Sequence, residues 1–472
     1  MADRSVIQLT DRSRYEVGLD RCQRYRYLNT SWGPSGYGIA RKAHSVPLAA
    51  GTYYHVGLAH VMGWVQHYDA QPVPDSIIRD ACALATKEYR QVVEARGMSG
   101  LDSSERLETL ISEQCCLIEG LVWAFCLTTL PWIIEQCRVI QVERDDTAVI
   151  GCTCGLGDFL GTVEDHEGRG CEGIGFQYRL DFLTEYRARP GVLAYWEFKG
   201  TGATGEMFDT KWETSPQFAL GAMMEAKRRE TQISEAWVIG LVKGRREGDT
   251  YNPELGKREG DLRQQSVLCY GYHKPANPPF EEEDWQAEFR YKDEWGKGHT
   301  LGKAYSKKGV WTLKEQLGAG EVSPSEFWAK WMPVGVLGKQ IALIGPLNVS
   351  PVISQDIVEE VVGEEQKWKG ILWELHQVLA ENAYDWTSAP YQATLRRLVP
   401  RSWSCRRYGK RHECQFAGIC FYKEGWQDPL GASGVNGQEF IVRRPHHAAE
   451  LAQMAARGLT PPEGWAEDGE ED

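Results

Sequence analysis

The residues best suited to chemistry gather in YRLDFLTEYRARPGVLAYWEFKGTG, residues 178–202. Glu197 and Lys199 stand two apart in a run whose aromatic and aliphatic content predicts a strand, so their side chains share a face. Arg189-Pro190-Gly191 is a turn signal. A hairpin centred on Arg189 sets Asp181, on the preceding strand, directly across from Glu197. Two carboxylates held together repel unless one keeps its proton or a cation sits between them. Hard oxygen donors favour Mg2+ or Mn2+, ions that leave positions open for a substrate phosphate. Such an ion activates water for attack on phosphorus, while Lys199 orients that water and stabilises the developing charge. An isolated Glu-x-Lys is more often a solvent-facing pair; the hairpin with Asp181 is what turns it into a candidate site.

Two further residues fit the same face. Gln217 opens a predicted helix in TSPQFALGAMMEAKRR, where a carboxamide can reach the carboxylates and orient water or phosphate. His55 lies in LAAGTYYHVGLAHVM, where a Gly-containing entry leads into a helix. Its imidazole would complete the metal shell and tilt the preference toward Mn2+. His60 is the alternative.

A second constellation is cysteine-based. Cys405, Cys414 and Cys420 fall among Arg, Lys, His and Glu in SWSCRRYGKRHECQFAGIC, and Cys22 stands in RCQRYRYL near the other end of the chain. Four thiolates suit a [4Fe–4S] cluster or, as the alternative, a tetrahedral structural Zn2+. Either would tie the two ends of the chain together. Cys152, Cys154 and Cys171 are spaced for a separate zinc site, although their strand context also suits buried thiols. Around the four-cysteine clip runs a basic patch that includes Arg406, Arg407 and Lys410, with Arg24 and Tyr25 beside Cys22. Basic side chains interleaved with aromatic rings are what single-stranded nucleic acid uses.

These residues need elements to hold them. The chain has 472 residues, and 42% hydrophobic content supports a sizeable core. Its formal charge of −13 excludes a uniformly basic coat around nucleic acid, leaving a local basic groove or metal-assisted binding. An odd count of 13 cysteines argues against a disulfide scaffold and for a reducing, cytoplasmic compartment. No signal stretch is expected, and the apolar run at 120–134 contains Pro131 and reads as a core helix rather than a membrane span. Helical periodicity predicts helices near 51–65, 76–96, 103–130, 216–230 and 352–384. Strands are expected at 172–186, 192–199, 235–243, 265–272 and 338–344, with a strand pair over 137–152 turning at Asp145-Asp146. The organisation is then an α/β core with an N-terminal arm over 1–243 and an insertion at 244–345. A C-terminal helix and cysteine segment follows at 346–456, then an acidic, disordered tail at 457–472.

Taken in order, Cys22, His55, Asp181, Glu197-Phe198-Lys199, Gln217, Cys405, Cys414 and Cys420 resemble the PD-(D/E)XK nuclease superfamily. The likeness is to its RecB-like branch, which includes CRISPR-associated four-cysteine exonucleases and phage exonucleases. Position 221, four residues after Gln217, is Gly where that family often has Tyr. The resemblance implies an α/β fold: a restriction-endonuclease-like mixed sheet flanked by helices, its N- and C-terminal segments joined by a four-cysteine cluster. It implies metal binding by His55, Asp181 and Glu197, with Lys199 and Gln217 as further catalytic residues and a [4Fe–4S] cluster on the four cysteines. The implied activity is a metal-dependent DNA exonuclease at single-stranded ends in recombination, repair or phage DNA processing, with DNA as partner and no membrane. A non-catalytic iron–sulfur DNA-binding subunit and a sequence-specific endonuclease are the alternatives.

Overall fold

A computed structural model describes residues 7–20, 22–32, 38–41, 46–69, 71–96, 104–152, 166, 171–201, 212, 215–242, 251–252, 257–258, 289–292, 298–301, 341–401, 414–423, 426–430, 440–443 and 447–456. The expected strand at 265–272 and the tail at 457–472 lie outside them.

The elements run β1 (Gln8–Asp11), α1 (Arg12–Asp20), α2 (Gln23–Thr30), β2 (Ile39–Arg41), α3 (Val46–Tyr68), α4 (Asp75–Arg96), α5 (Ser104–Thr128) and α6 (Leu130–Gln136). Next come β3 (Cys137–Ile150), β4 (Ile174–Tyr186), β5 (Leu193–Thr201), α7 (Pro216–Arg228) and β6 (Ile233–Val242). Two short ribbons, β7 (Tyr251–Asn252) with β8 (Lys257–Arg258) and β9 (Phe289–Lys292) with β10 (Gly298–Leu301), precede β11 (Ile341–Asn348). The chain continues through α8 (Pro351–Glu381), α9 (Ala389–Leu398), β12 (Phe440–Val442) and α10 (Ala448–Ala456).

The result is a mixed six-stranded sheet flanked by helices. Its order is β1-β4-β5-β6-β11, with β3 also paired to β4. Strand β4 is the centre. It runs antiparallel to β3 and β5 and parallel to β1. Nearly every β4 and β5 residue is buried, the pattern of strands covered on both faces. One face carries Phe182, Trp196 and Phe198 into a core with Leu58, Val61, Ile118, Leu121 and Phe125 of α3 and α5. The other packs Leu183, Tyr195 and Val238 against Phe218 and Ala222 of α7, while Phe176 and Tyr178 meet Val358 and Val361 of α8. The apolar run at 120–134 is core: Leu121, Val122, Phe125, Leu130 and Ile133 are all buried in that first cluster.

Two sequence expectations are corrected. Residues 137–150 form one 14-residue strand, not a hairpin. Asp145 and Asp146 do not turn the chain, because their charges have partners: Asp145 meets His447 at 2.7 Å, and Asp146 pairs with Arg144 and Arg228. The expected insertion boundary at 345 falls inside β11, which pairs with β6 and so belongs to the main sheet.

The N-terminal and C-terminal segments share a second core. Tyr25, Leu28, Trp32 and Ile39 pack with Trp368, Leu375, Tyr391, Phe416 and Phe440, and β2 pairs antiparallel with β12. An ion pair is buried between them: Arg26 Nη2 lies 2.5 and 2.6 Å from the two oxygens of Glu365, with the guanidinium 4.5 Å over the Trp368 ring. Removing one partner strands the other in low dielectric, at a cost of about 3–5 kcal/mol. Glu365→Ala is therefore expected to lower the urea midpoint by an equivalent amount, and a shift worth under about 1 kcal/mol would show that the joint does not depend on this pair.

α10 docks through His447. Burial alone pulls its imidazole down, but the hydrogen bond to Asp145 and the charges of Asp11, Asp145 and Glu450 outweigh this and hold it above its ordinary value. A raised folded-state pKa means that the stabilisation is complete below the unfolded value of 6.5 and is lost as pH rises through the folded one. The melting-temperature gap between wild type and His447→Gln should accordingly narrow from about pH 6 to about pH 9.

Candidate active site

The site forms where β4 changes partners. Along one edge β4 pairs with β1 over Ile174–Gln177, then with β5 over Phe182–Glu185. The observed register, Phe182↔Trp196 through Glu185↔Leu193, is the one a hairpin centred on Arg189 requires, and Asp181 and Glu197 are the next positions along it. There the ladder stops and the strands part. Asp181 Oδ2 accepts the Phe198 N–H at 2.5 Å in place of a backbone carbonyl. Beyond this point β5 continues with β6 alone, from Glu197↔Val238 to Thr201↔Val242.

Two groups of side chains line the fork. In the first, His55 Nδ1, on α3, lies 3.3 Å from Asp181 Oδ1. Glu143 joins them from β3, and donor atoms of all three residues fall within 4.8 Å of one another. Glu143 faces Asp181 because the register on either side, Val142↔Phe182 and Arg144↔Leu180, frames it, and its backbone is left-handed at φ 40. Burial, then the Asp181 charge, pushes the Glu143 carboxyl above its ordinary value; Arg179, 2.7 Å away, and His55 offset this only in part. Two carboxylates and an imidazole that resist sharing negative charge fit a divalent cation, with oxygen donors and one nitrogen.

In the second group, Glu197 and Lys199 share a face of β5, both 2% exposed, with Lys199 Nζ 3.1 Å from Glu197 Oε1. Gln217 Nε2, in the first turn of α7, donates to the same oxygen, while its Oε1 accepts from Arg12 Nη1 at 2.5 Å. Arg12 opens α1 directly after β1, so the second partner of β4 brings a cation to the fork. Trp212 stands by Arg12 (5.1 Å) and Lys199 (5.9 Å). Tyr195, two residues before Glu197, is fully buried, and its hydroxyl accepts and donates no hydrogen bond among the described residues. Burial, then the charges of Glu197 and Asp181, keeps that phenol well above its ordinary value, hence neutral. The Tyr195 hydroxyl also accounts for Gly221: a Cβ there would lie 2.7 Å from it.

All five predicted residues of the carboxylate site thus converge on one fork. Glu197 differs from expectation in detail, its Oε1 turned toward Lys199 and Gln217 while Glu143 stands with His55 and Asp181. Glu143 and Arg12 were missed. Glu143 lies just before the expected turn at Asp145-Asp146, and Arg12 in a charged N-terminus with no strand or helix signal attached to it. His60 is exposed.

The cysteine and nucleic-acid residues fare unevenly. Cys22 and Cys420 are buried in the second core and Cys414 packs against it, so three of the four cysteines belong to one core built from both chain ends. Cys405, Arg406, Arg407 and Lys410 lie outside the described residues, as does Cys154. Arg24 and Tyr25 are corrected from DNA contacts to structural residues. Arg24 is buried and donates to the carbonyls of Leu395 and Val399 (2.9 and 2.8 Å), satisfying the open C-terminal end of α9. Tyr25 is buried edge-on to Phe416, its hydroxyl accepting from Gln415 Nε2.

The chain matches no protein-family model, and no curated protein matches it significantly.

Glu143→Gln keeps the shape of the side chain and removes a charge from the His55–Asp181 group. Mn2+ affinity, followed by the free-ion electron paramagnetic resonance signal, is expected to fall at least about tenfold, or about 1.4 kcal/mol. Unchanged affinity would place the ion elsewhere.

Proposed function

We propose that the chain is a metal-dependent deoxyribonuclease, an exonuclease acting at single-stranded DNA ends in recombination, repair or phage DNA processing. The observation that carries the reading is the fork: Asp181, Glu197 and Lys199, with His55 and Gln217 beside them, brought together in a largely buried site at the parting of two strands. The exonuclease character and the DNA substrate rest on the resemblance of these residues and their order to the PD-(D/E)XK nucleases, within a mixed sheet flanked by helices.

Mg2+ or Mn2+, held by His55, Asp181 and Glu143 with Glu197 adjacent, would supply Lewis acidity and offset phosphate charge. The remaining work falls to the chain. Lys199 Nζ, fixed against Glu197 Oε1, orients the attacking water and donates to a phosphoryl oxygen as its charge grows. Gln217 holds Glu197 in place by its amide and is itself held by Arg12, which also pairs with Glu16. The Trp212 ring and the neutral Tyr195 phenol exclude bulk water, which strengthens each of these contacts. Retention of both Glu197 and Lys199 favours a catalytic protein over a DNA-binding subunit that has lost activity. A [4Fe–4S] cluster on Cys22, Cys405, Cys414 and Cys420 belongs to the same proposal, supported by the shared core of Cys22, Cys414 and Cys420; a structural Zn2+ there is the alternative.

End-labelled single- and double-stranded DNA incubated with Mn2+ or Mg2+ tests the reading. Wild type is expected to shorten the labelled strand progressively, and Lys199→Ala to be slower by about 10²–10⁴-fold. Equal rates for the two proteins, or no cleavage by wild type with either ion, would remove the catalytic claim.

A further inference from the structure

A second cluster of metal-ligating side chains stands apart from the fork. Cys152 follows β3, Cys171 precedes β4, and His166 lies in the connection between them. Donor atoms of the three fall within 4.8 Å of one another, and Cys152 Sγ is 3.1 Å from His166 Nδ1. His166 is 2% exposed and Cys171 5%. The backbone supports the grouping: the Cys171 N–H donates to the His166 carbonyl at 3.0 Å, closing the chain between two of the three residues. The cluster stands just before the start of β4 at Ile174, which is seven residues, or roughly 23 Å, along the strand from Asp181.

We infer that Cys152, His166 and Cys171 form a structural zinc site that clips the β3–β4 connection. Two sulfurs and an imidazole nitrogen suit Zn2+ and fill three of its four tetrahedral positions, leaving the fourth to a water; ligand atoms around that ion sit roughly 3.5–3.8 Å apart, within the spread seen here. Two thiol protons leave on binding, and Nδ1 coordinates as the unprotonated nitrogen. Carboxylate-seeking Mg2+ and Mn2+ are poorly matched to two thiolates.

Of the 23 residues 151–173, seven are glycine, and the apolar ones are few. A segment of this composition has little surface to bury against the entropy of ordering it, which a metal can offset. Its ends are already close, since Ile150 pairs with Ile174. Gly151, in the left-handed region at φ 62, turns the chain out of β3 where a Cβ would meet the Val362 side chain at 2.5 Å, so Cys152 starts from a fixed point. The clip also stands at the end of β4 that receives β1: Gln8 pairs with Ile174, and the Gln8 N–H donates to Gly173 O at 3.2 Å. It therefore anchors the strand that delivers Arg12 to the fork. The inference is independent of the nuclease reading, because zinc is measured without any activity.

The test is zinc content of the full-length protein purified without chelator, measured by plasma mass spectrometry. Cys152→Ser with Cys171→Ser should lose one zinc per chain relative to wild type, while Asp181→Ala keeps it. His166→Ala should lose it as well and His166→Cys should retain it, a rescue that a mere folding defect does not produce. In the wild type loaded with Co2+, a thiolate-to-cobalt charge-transfer band should appear and be absent from the double variant. A wild type without zinc, zinc unchanged in the double variant, or His166→Cys behaving as His166→Ala would overturn the assignment.

Discussion

Strand β4 offers one edge to two neighbours, and the structure of the site follows from the handover. β1 takes the first part of that edge and β5 the last, so the ladder is interrupted at Asp181. A backbone group left there in a buried sheet would be costly unless something else bonded it. The Asp181 carboxylate does so, accepting the Phe198 N–H, and in doing so is fixed with its other oxygen toward His55. The parting of β5 from β4 then opens room for Glu197 and Lys199, whose ionic head groups would otherwise face a closed sheet. β1 ends at the same fork and releases Arg12 into it. One topological feature thereby collects residues from α1, α3, β3, β4, β5 and α7.

The second consequence is electrostatic. Few solvent contacts remain for Asp181, Glu197 and Lys199, so their charges act in low dielectric and cannot be left unbalanced. Lys199 balances the Glu197 charge, and Gln217, itself bonded by Arg12, donates to the same carboxylate. On the other side of Asp181, burial first and the Asp181 charge second raise the Glu143 carboxyl, and Arg179 and His55 offset this only in part. That imbalance is local, and the net charge of −13 gives no hint of its position.

How much of this could be read from the chain depends on how local the signal was. The hairpin register was readable because Arg189-Pro190-Gly191 marks a turn and period-two alternation propagates from it without tertiary help. Lys199 and Gln217 followed from the elements on which they sit. Glu143 did not, because Asp145-Asp146 resembles a turn until His447 and Arg228 arrive from distant parts of the chain to neutralise it. Arg24 resembles a nucleic-acid contact for a similar reason: its partners are carbonyls at the end of α9, some 370 residues away. His166 is flanked by Asp165, Glu167 and glycine, which suggests solvent exposure, and only the meeting of β3 and β4 buries it beside two cysteines. In each case the missing information was a tertiary partner for a charged or polar group.

The central claim is that the fork at β4 holds a divalent ion between His55, Asp181 and Glu143, next to Glu197. Crystals of the full-length protein grown or soaked with Mn2+ and measured at its absorption edge test this most directly. The account predicts one anomalous peak within coordination distance of His55 and Asp181, lost in Asp181→Asn crystals. Ordered density for these side chains with no peak among them, at an Mn2+ concentration that supports binding in solution, would contradict it.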